Sequence, residues 1–131
     1  MHSDILYECI MMEDRLRGHY GLIKSKKDVE AFGKYTEQVD DDNLGQLINK
    51  LKKLEGQYSK SFIGKLEKAK DIRNYYAHRV YYHHIPFNYE EVKKVDEDKI
   101  KKDYKYIKKM IEELDNIYEK KLAKTKELRW N

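Results

Sequence analysis

The chain has 131 residues, of which 40% are charged, and its formal net charge at pH 7 is +4. A chain of this length fits one domain with one modest hydrophobic core, so we treat residues 1–131 as a single domain. Mean hydropathy is −1.00, but aromatic residues make up 12% and apolar residues recur at regular intervals, which argues against a disordered chain. The mild positive charge permits an anionic partner without requiring one.

Three features of the sequence bear on the cellular compartment. Cys9 is the only cysteine, so no disulfide can form within the chain, which is typical of a reducing compartment. The first residues, MHSDILYECIMMEDR, interrupt their apolar positions with acidic ones, which does not fit a secretory signal peptide. No apolar run approaches the roughly 20 residues that a membrane-spanning helix needs. The sequence therefore predicts a soluble, cytoplasmic protein with no membrane partner.

The N-terminal third predicts one long helix and one short helix. Apolar residues at helical spacing favour a first helix from about residue 3 to residue 20, with Gly18 and Gly21 bracketing its end. Cys9 lies on the apolar stripe of this helix, so we expect it to be buried rather than nucleophilic. The segment SKKD (25–28) has the spacing of a capping box and predicts the start of a short second helix. The residues of that helix expected to face the core are Val29, Phe32 and Tyr35.

Three more helices are predicted in the rest of the chain. The acidic run DDDN (40–43) offers Asp42 or Asn43 as the N-cap of a third helix, which ends near Gly56. A fourth helix begins near residues 58–60 and has to end before Pro86, because a residue that precedes proline disfavours helical conformation. The fifth runs from about residue 90 to residue 125. Its near-heptad apolar stripe consists of Ile100, Tyr104, Ile107, Ile111, Leu114, Tyr118 and Leu122.

No segment alternates polar and apolar residues at the period of a β-strand. We therefore predict an all-α fold, an antiparallel bundle of four main helices plus one short helix.

The densest group of chemically active side chains lies in the fourth predicted helix, in the stretch KDIRNYYAHRVYYHHIPF (70–87). At about 100° per residue, Arg73 falls on the apolar stripe of this helix, whereas Asn74, His78 and Tyr81 form a flanking row. A lone charge in a core is costly unless it is paired or reaches a cleft. We therefore expect Arg73 at a place where the apolar face meets a groove.

Arginine, asparagine and histidine together suit the cleavage of RNA. The guanidinium matches phosphate oxygens, the imidazole titrates near neutral pH, and the amide can orient either partner. The ribose 2′-OH is an internal nucleophile, so general acid–base catalysis with electrostatic stabilisation requires no metal. A five-residue step turns Arg73 and His78 apart, so they meet through the reach of the arginine or from two copies of a symmetric dimer. A purely structural role, with Arg73 in an ion pair and His78 half-buried, is the alternative.

The segment RNYYAH (73–78), late in a helix of a small all-helical protein, resembles the R-x4-6-H motif of the HEPN superfamily. A polar residue, often asparagine, follows the arginine in that family, as Asn74 does here. The segment LGQLINKLKKL (44–54) is similar to the helix upstream of the motif in small bacterial members. The resemblance implies a HEPN-like fold and a metal-independent endoribonuclease, with a composite active site at a homodimer interface. Arg73 and His78 would be catalytic and Asn74 would support them.

The resemblance further implies a toxin or phage-defence effector that an antitoxin protein can hold in check. It differs from toxins of the R-x4-H-x-Y type, in which the tyrosine is modified by AMP transfer, because Val80 stands two residues after His78 and the tyrosine follows at Tyr81. This shift argues against that mode of neutralisation.

Further residues near the motif are candidates for RNA contact or for other roles. Candidate RNA-binding or supporting residues are Lys70, Arg79, Tyr81 and Tyr82, since cations attract the backbone and rings stack on bases. His83 and His84 lack the spacing of a zinc site, so we expect no metal and no cofactor. The second candidate function is a non-catalytic bundle that dimerises and binds nucleic acid, a nucleotide or a protein partner.

Overall fold

The computed structural model describes residues 2–26, 28–82 and 89–130, with side chains at 4–26, 28–78 and 97–124. No strand occurs in these ranges, and the all-α helical bundle is confirmed. None of the helices in this part of the chain has the length and apolar character required to span a membrane. The five helices are α1 (His2–Ser25), α2 (Val29–Gln38), α3 (Leu44–Lys52), α4 (Lys60–Tyr82) and α5 (Tyr89–Trp130).

The helix α1 is longer than its glycines indicate. The prediction that Gly18 and Gly21 bracket its end is wrong, because the helix continues to Ser25. Gly21 has a tertiary role instead: a Cβ atom at this position would lie 2.6 Å from the Cγ2 of Thr36. The absence of a side chain lets α2 pack closely against α1.

The starts of α2 and α3 are capped in different ways. Asp28 is the N-cap of α2 and accepts a hydrogen bond from the amide of Glu30, so the capping box predicted at 25–28 is wrong. Asn43, one of the two candidates that the sequence offered, is the N-cap of α3. Its side chain accepts from the amide of Gln46, and the Gln46 side chain accepts from the amide of Asn43, both at 2.9 Å. This reciprocal pair satisfies two donors that a helix start leaves unpaired.

The prediction that α2 faces the core is wrong for Val29, which is 75% exposed. No residue of α2 is buried. Among the helices of the described ranges, α2 contacts only α1, through half-buried side chains such as Tyr35, whose ring meets that of Tyr20 edge to face. A helix that is covered on one side by a single neighbour cannot bury a full apolar face.

The three long helices determine the direction of the chain through the bundle. Side chains near the start of α4 meet the end of α5, as where Lys121 lies over the ring of Tyr58, so these two helices are antiparallel. The helices α1 and α5 run parallel, because Glu8 pairs with Lys108 and Arg15 pairs with Asp115. Because α4 is antiparallel to α5 and α5 is parallel to α1, α4 is antiparallel to α1 as well.

The core lies between the three long helices and α3. Cys9 is 1% exposed, as predicted. Four residues of the predicted α5 stripe are also buried: Ile100, Ile107, Ile111 and Leu114. Fully buried large side chains of the core are Ile5, Met12, Leu16, Leu44, Leu47, Ile48, Leu51, Leu66, Tyr76, Ile107, Met110 and Leu114.

The buried histidine of the core has partners on both ring nitrogens. The Nε2 of His19 lies 2.8 Å from the carbonyl of Leu114, and its Nδ1 lies 2.8 Å from the hydroxyl of Tyr58. Because a carbonyl oxygen only accepts, Nε2 bears the proton and Nδ1 accepts from the tyrosine. Burial is the main cause that lowers the pKa of His19, so this residue is a neutral link between α1, α5 and the turn that precedes α4.

Candidate functional site

The turn of α4 that contains the motif is attached to α5 by a buried polar contact. Tyr76 is fully buried, and its hydroxyl donates to the Oδ2 of Asp103 at 2.7 Å. Lys99 donates to the same oxygen at 2.7 Å, and its Nζ lies 4.3 Å from the ring centre of Tyr75. Tyr75 and Tyr76 therefore take part in packing between α4 and α5. Together they fix the rotation of α4 about its axis.

On another side of the same turn, where α3 begins, the surface forms a cleft of about 140 Å³. Its lining contains two cations and no carboxylate, so its potential favours an anion. The residues that line it are Asn43, Leu44, Gly45, Lys70, Arg73 and Asn74. We call it the arginine cleft.

Arg73 is half-buried in this cleft. Its Nη1 donates to the Oδ1 of Asn74 at 3.2 Å, and in the described part of the chain it forms no ion pair with a carboxylate. A guanidinium has five N–H donors, so the hydrogen bond to Asn74 leaves other N–H groups that could contact a ligand. The ion pair expected as an alternative role of Arg73 is therefore not found among the residues that the structure describes.

Arg73 also acts on α1 through its charge. The guanidinium opposes the rise in the pKa of Cys9, but burial and the charge of Glu13 outweigh it, and the pKa of the thiol is raised to about 12. A thiol with that pKa is not a nucleophile near neutral pH. Cys9 therefore contributes packing and no chemistry.

The first turn of α3 forms the opposite wall of the arginine cleft. A Cβ atom at Gly45 would lie 3.4 Å from the Cδ of Lys70 and 3.5 Å from the Oδ1 of Asn43. A side chain larger than glycine would therefore occupy the space between these two groups. The first amides of a helix have no partner within the helix, so the amides of Leu44 and Gly45 add donors suited to an anion. The sequence alone indicated only a capping role for Asn43 and no role for Gly45.

His78 lies apart from the arginine cleft. It is exposed on α4 and is not among the residues that line the cleft. The five-residue step from Arg73 corresponds to about 7.5 Å along the helix axis and about 140° around it. One copy of the chain therefore brings Lys70, Arg73 and Asn74 together and leaves His78 on a neighbouring surface.

The remaining predicted residues follow at the end of α4. Arg79, Tyr81 and Tyr82 belong to its last turn, but their side chains are outside the described ones, as are His83 and His84 entirely. In the described ranges, no three His, Cys, Asp or Glu side chains are grouped in a way that could bind a metal ion.

Comparisons of this chain with models of known protein families, with curated proteins and with solved structures gave no match.

Proposed function

We propose that the protein is a metal-independent endoribonuclease of HEPN type, with an active site that two copies complete. The observation that supports this function best is the half-buried Arg73 in a cleft with a second cation, an amide side chain and no carboxylate. This set of groups matches a phosphodiester, which carries one negative charge and four oxygen atoms as acceptors.

In the proposed mechanism the arginine cleft binds the phosphate at which the strand is cut. Arg73 stabilises the negative charge that develops on phosphorus, and the first amides of α3 donate to another oxygen of that phosphate. Asn74 accepts from Nη1 of Arg73 and limits the orientations of the guanidinium. Lys70 attracts an adjacent phosphate. His78 removes the proton of the ribose 2′-OH or protonates the leaving 5′ oxygen.

The separation of Arg73 from His78 leads us to propose a homodimer. A two-fold contact uses the same surface patch twice, so a patch that includes the Asn74 and His78 row of α4 would set the imidazole of one copy beside the arginine cleft of the other. Each dimer would then hold two composite sites.

The first test is cleavage of single-stranded RNA in EDTA by the wild type, Arg73→Ala and His78→Ala. We expect cleavage by the wild type and a loss of at least about 100-fold in each variant. Lys60→Ala, which removes an exposed cation from the first turn of the same helix, should cleave normally. Equal cleavage by all four proteins would point to a contaminating nuclease and refute the proposal.

The second test distinguishes a composite site from a site within one copy. The Arg73→Ala and His78→Ala proteins are mixed and allowed to exchange subunits. If each site takes its arginine from one copy and its histidine from the other, a mixed dimer has one intact site, and full exchange restores about a quarter of the wild-type rate. If both residues act from the same copy, every site has one defect and no activity returns.

A toxin or phage-defence effector would act on RNA in the cell, and an antitoxin protein would restrain it. We expect the wild type to arrest the growth of a bacterial host when expressed alone and Arg73→Ala to have no such effect. Normal growth of the host, with its RNA intact, would contradict the toxin role. It would leave the ribonuclease activity to be decided by the cleavage test.

The position of His78 outside the arginine cleft favours a second candidate function, a non-catalytic bundle that binds RNA. That function predicts RNA binding that weakens with salt and that is lost in Arg73→Ala and Lys70→Ala, with no cleavage product at any enzyme concentration.

A further inference from the structure

A second cleft lies at the opposite end of α4, between the turn that precedes this helix and the last third of α5. Its volume is about 280 Å³, close to the lower end of the range for small-molecule sites. We call it the lysine cleft. The residues that line it are Gln57, Tyr58, Ser59, Phe62, Ile117, Lys120, Lys121 and Lys124.

One side of the lysine cleft is strongly cationic. Lys120, Lys121 and Lys124 lie within five positions of α5, and the lining includes no carboxylate. The Nζ of Lys121 donates to the Oε1 of Gln57 at 2.8 Å and lies 5.4 Å from the ring centre of Tyr58. Burial, followed by the charge of Lys124, lowers the pKa of Lys121. An anion between these ammonium groups would offset their mutual repulsion.

The other side of the lysine cleft is apolar and rigid. The rings of Tyr58 and Phe62 lie 5.7 Å apart between centres, and Ile117 adds an aliphatic surface from α5. Tyr58 cannot turn away easily, because its hydroxyl donates to the buried His19 at 2.8 Å. The cleft therefore presents a fixed apolar floor beside a cluster of cations.

We propose that the lysine cleft binds a phosphate monoester attached to a flat ring, such as a nucleoside monophosphate or a phosphotyrosine. The dianionic phosphate would contact the ammonium groups of Lys120 and Lys124, and the ring would lie on the floor formed by Tyr58, Phe62 and Ile117. This site is separate from the arginine cleft, since the 14 residues from Ser59 to Arg73 span about 21 Å of helix. It does not depend on ribonuclease activity.

The test is a titration followed by amide NMR, with adenosine 5′-monophosphate and free phosphotyrosine as the probes. We expect at least one of them to shift the amides of Tyr58, Phe62 and residues 120–124. If only one of the two probes saturates the site, that probe shows whether the lysine cleft accepts a nucleotide base or a tyrosine ring. Adenosine, tyrosine and inorganic phosphate are the fragment controls, and each should bind at least about tenfold more weakly than the intact monoester, because each lacks half of the contacts.

The variant that tests the cations is the double substitution Lys120→Glu/Lys124→Glu. Both side chains are exposed, so the fold should tolerate the change, which circular dichroism checks. The matched control is Lys105→Glu/Lys109→Glu, with the same spacing, helix, exposure and change in net charge. We expect the affinity for the monoester to fall at least about tenfold in the first variant and to change less than about threefold in the control.

Three results would overturn the proposal. The first is that neither monoester shifts the amides of the lysine cleft. The second is that adenosine or inorganic phosphate binds as tightly as the whole molecule. The third is an equal loss of affinity in both double variants, which would indicate attraction by net charge alone.

Discussion

Two glycines of α1 are expected to respond with opposite signs to the same substitution by alanine. A Cβ atom at Gly18 would lie 3.7 Å from the Cε2 of Tyr118, which is an ordinary van der Waals contact. A Cβ atom at Gly21 would lie 2.6 Å from the Cγ2 of Thr36 and 3.0 Å from the ring of Phe32. The two positions share the same helix and differ only in what surrounds the added methyl group.

The magnitudes follow from helix propensity and packing. Replacing glycine by alanine within a helix stabilises it by about 0.5–1 kcal/mol, and Gly18→Ala should gain this amount. At Gly21 the methyl group of Thr36 cannot rotate away without cost, since its Oγ1 donates to the carbonyls of Phe32 and Gly33 at 3.1 and 3.0 Å. Overpacking costs about 1–3 kcal/mol, so Gly21→Ala should be net destabilising. Because the propensity gain is common to both positions, the two variants should differ by the overpacking cost, about 1–3 kcal/mol.

The assay is urea and thermal unfolding followed by circular dichroism. For a chain of this size 1 kcal/mol corresponds to about 4 °C in Tm, so the Tm of Gly18→Ala should exceed that of Gly21→Ala by roughly 4–12 °C. Thr36→Ser deletes the clashing methyl group but keeps the hydroxyl, and in the Gly21→Ala background it should restore part of the loss. A Gly21→Ala protein as stable as Gly18→Ala, or no rescue by Thr36→Ser, would refute the packing argument.

Three further substitutions or conditions test buried groups. Tyr76→Phe removes the donor to the Asp103 carboxylate, so the free energy of unfolding in urea should fall by about 1.5–3 kcal/mol, and an unchanged value would contradict a structural role for that bond. Burial lowers the pKa of His19 from 6.5, so only the unfolded chain gains the proton as pH falls below that value, and stability should decrease there and be fully present above it. In His19→Gln the urea midpoint should depend less on pH between about pH 7 and pH 5, whereas an unchanged slope would rule out His19 as the source. Cys9 should react with a disulfide reagent at about pH 8 only after unfolding, because the thiolate is the reactive form, and rapid reaction of the folded protein would contradict its burial.

The spacing of apolar residues was sufficient to predict the helices, because an amphipathic stripe reports which face of a helix is buried. The stripe of α5 is an example, since Ile100, Ile107 and Leu114 are all buried where the spacing predicts. Helix direction is not encoded in such a stripe, so the parallel arrangement of α1 and α5 could not be inferred. Gly21 shows a second limit: propensity treats glycine as a helix breaker, and only the contact with Thr36 explains why it lies inside a helix.

The candidate site likewise combines residues whose grouping the sequence predicts with residues that only tertiary packing brings together. Lys70, Arg73 and Asn74 belong to one helix, so their angular positions predict that they share one side of it. Asn43 and Gly45 come from a helix that is distant in sequence and reach the cleft only through the packing of α3 against α4. Sequence spacing predicts which side chains of one helix are neighbours, and tertiary packing determines which other helix completes the site.

The rotation of α4 about its axis determines what Arg73 faces, and two independent forces favour the same rotation. Burial of Ile72 and Tyr76 fixes the apolar side of the helix against the core, and a rotation by one residue, about 100°, would expose them. The cost of burying a guanidinium without a partner opposes any rotation that moves Arg73 further inward. Apolar packing and charge solvation therefore place the arginine at the edge of the core, where α3 begins.

The stability of α3 does not explain why glycine occupies position 45. Alanine at this position would favour the helix by up to about 1 kcal/mol, and its Cβ atom would meet neighbours no closer than 3.4 Å. Glycine is therefore not required for α3 to form or to pack. What it does provide is space beside Lys70 in the lining of the arginine cleft. Glycine at position 45 thus lowers the helix propensity of α3 and leaves room in the wall of the arginine cleft.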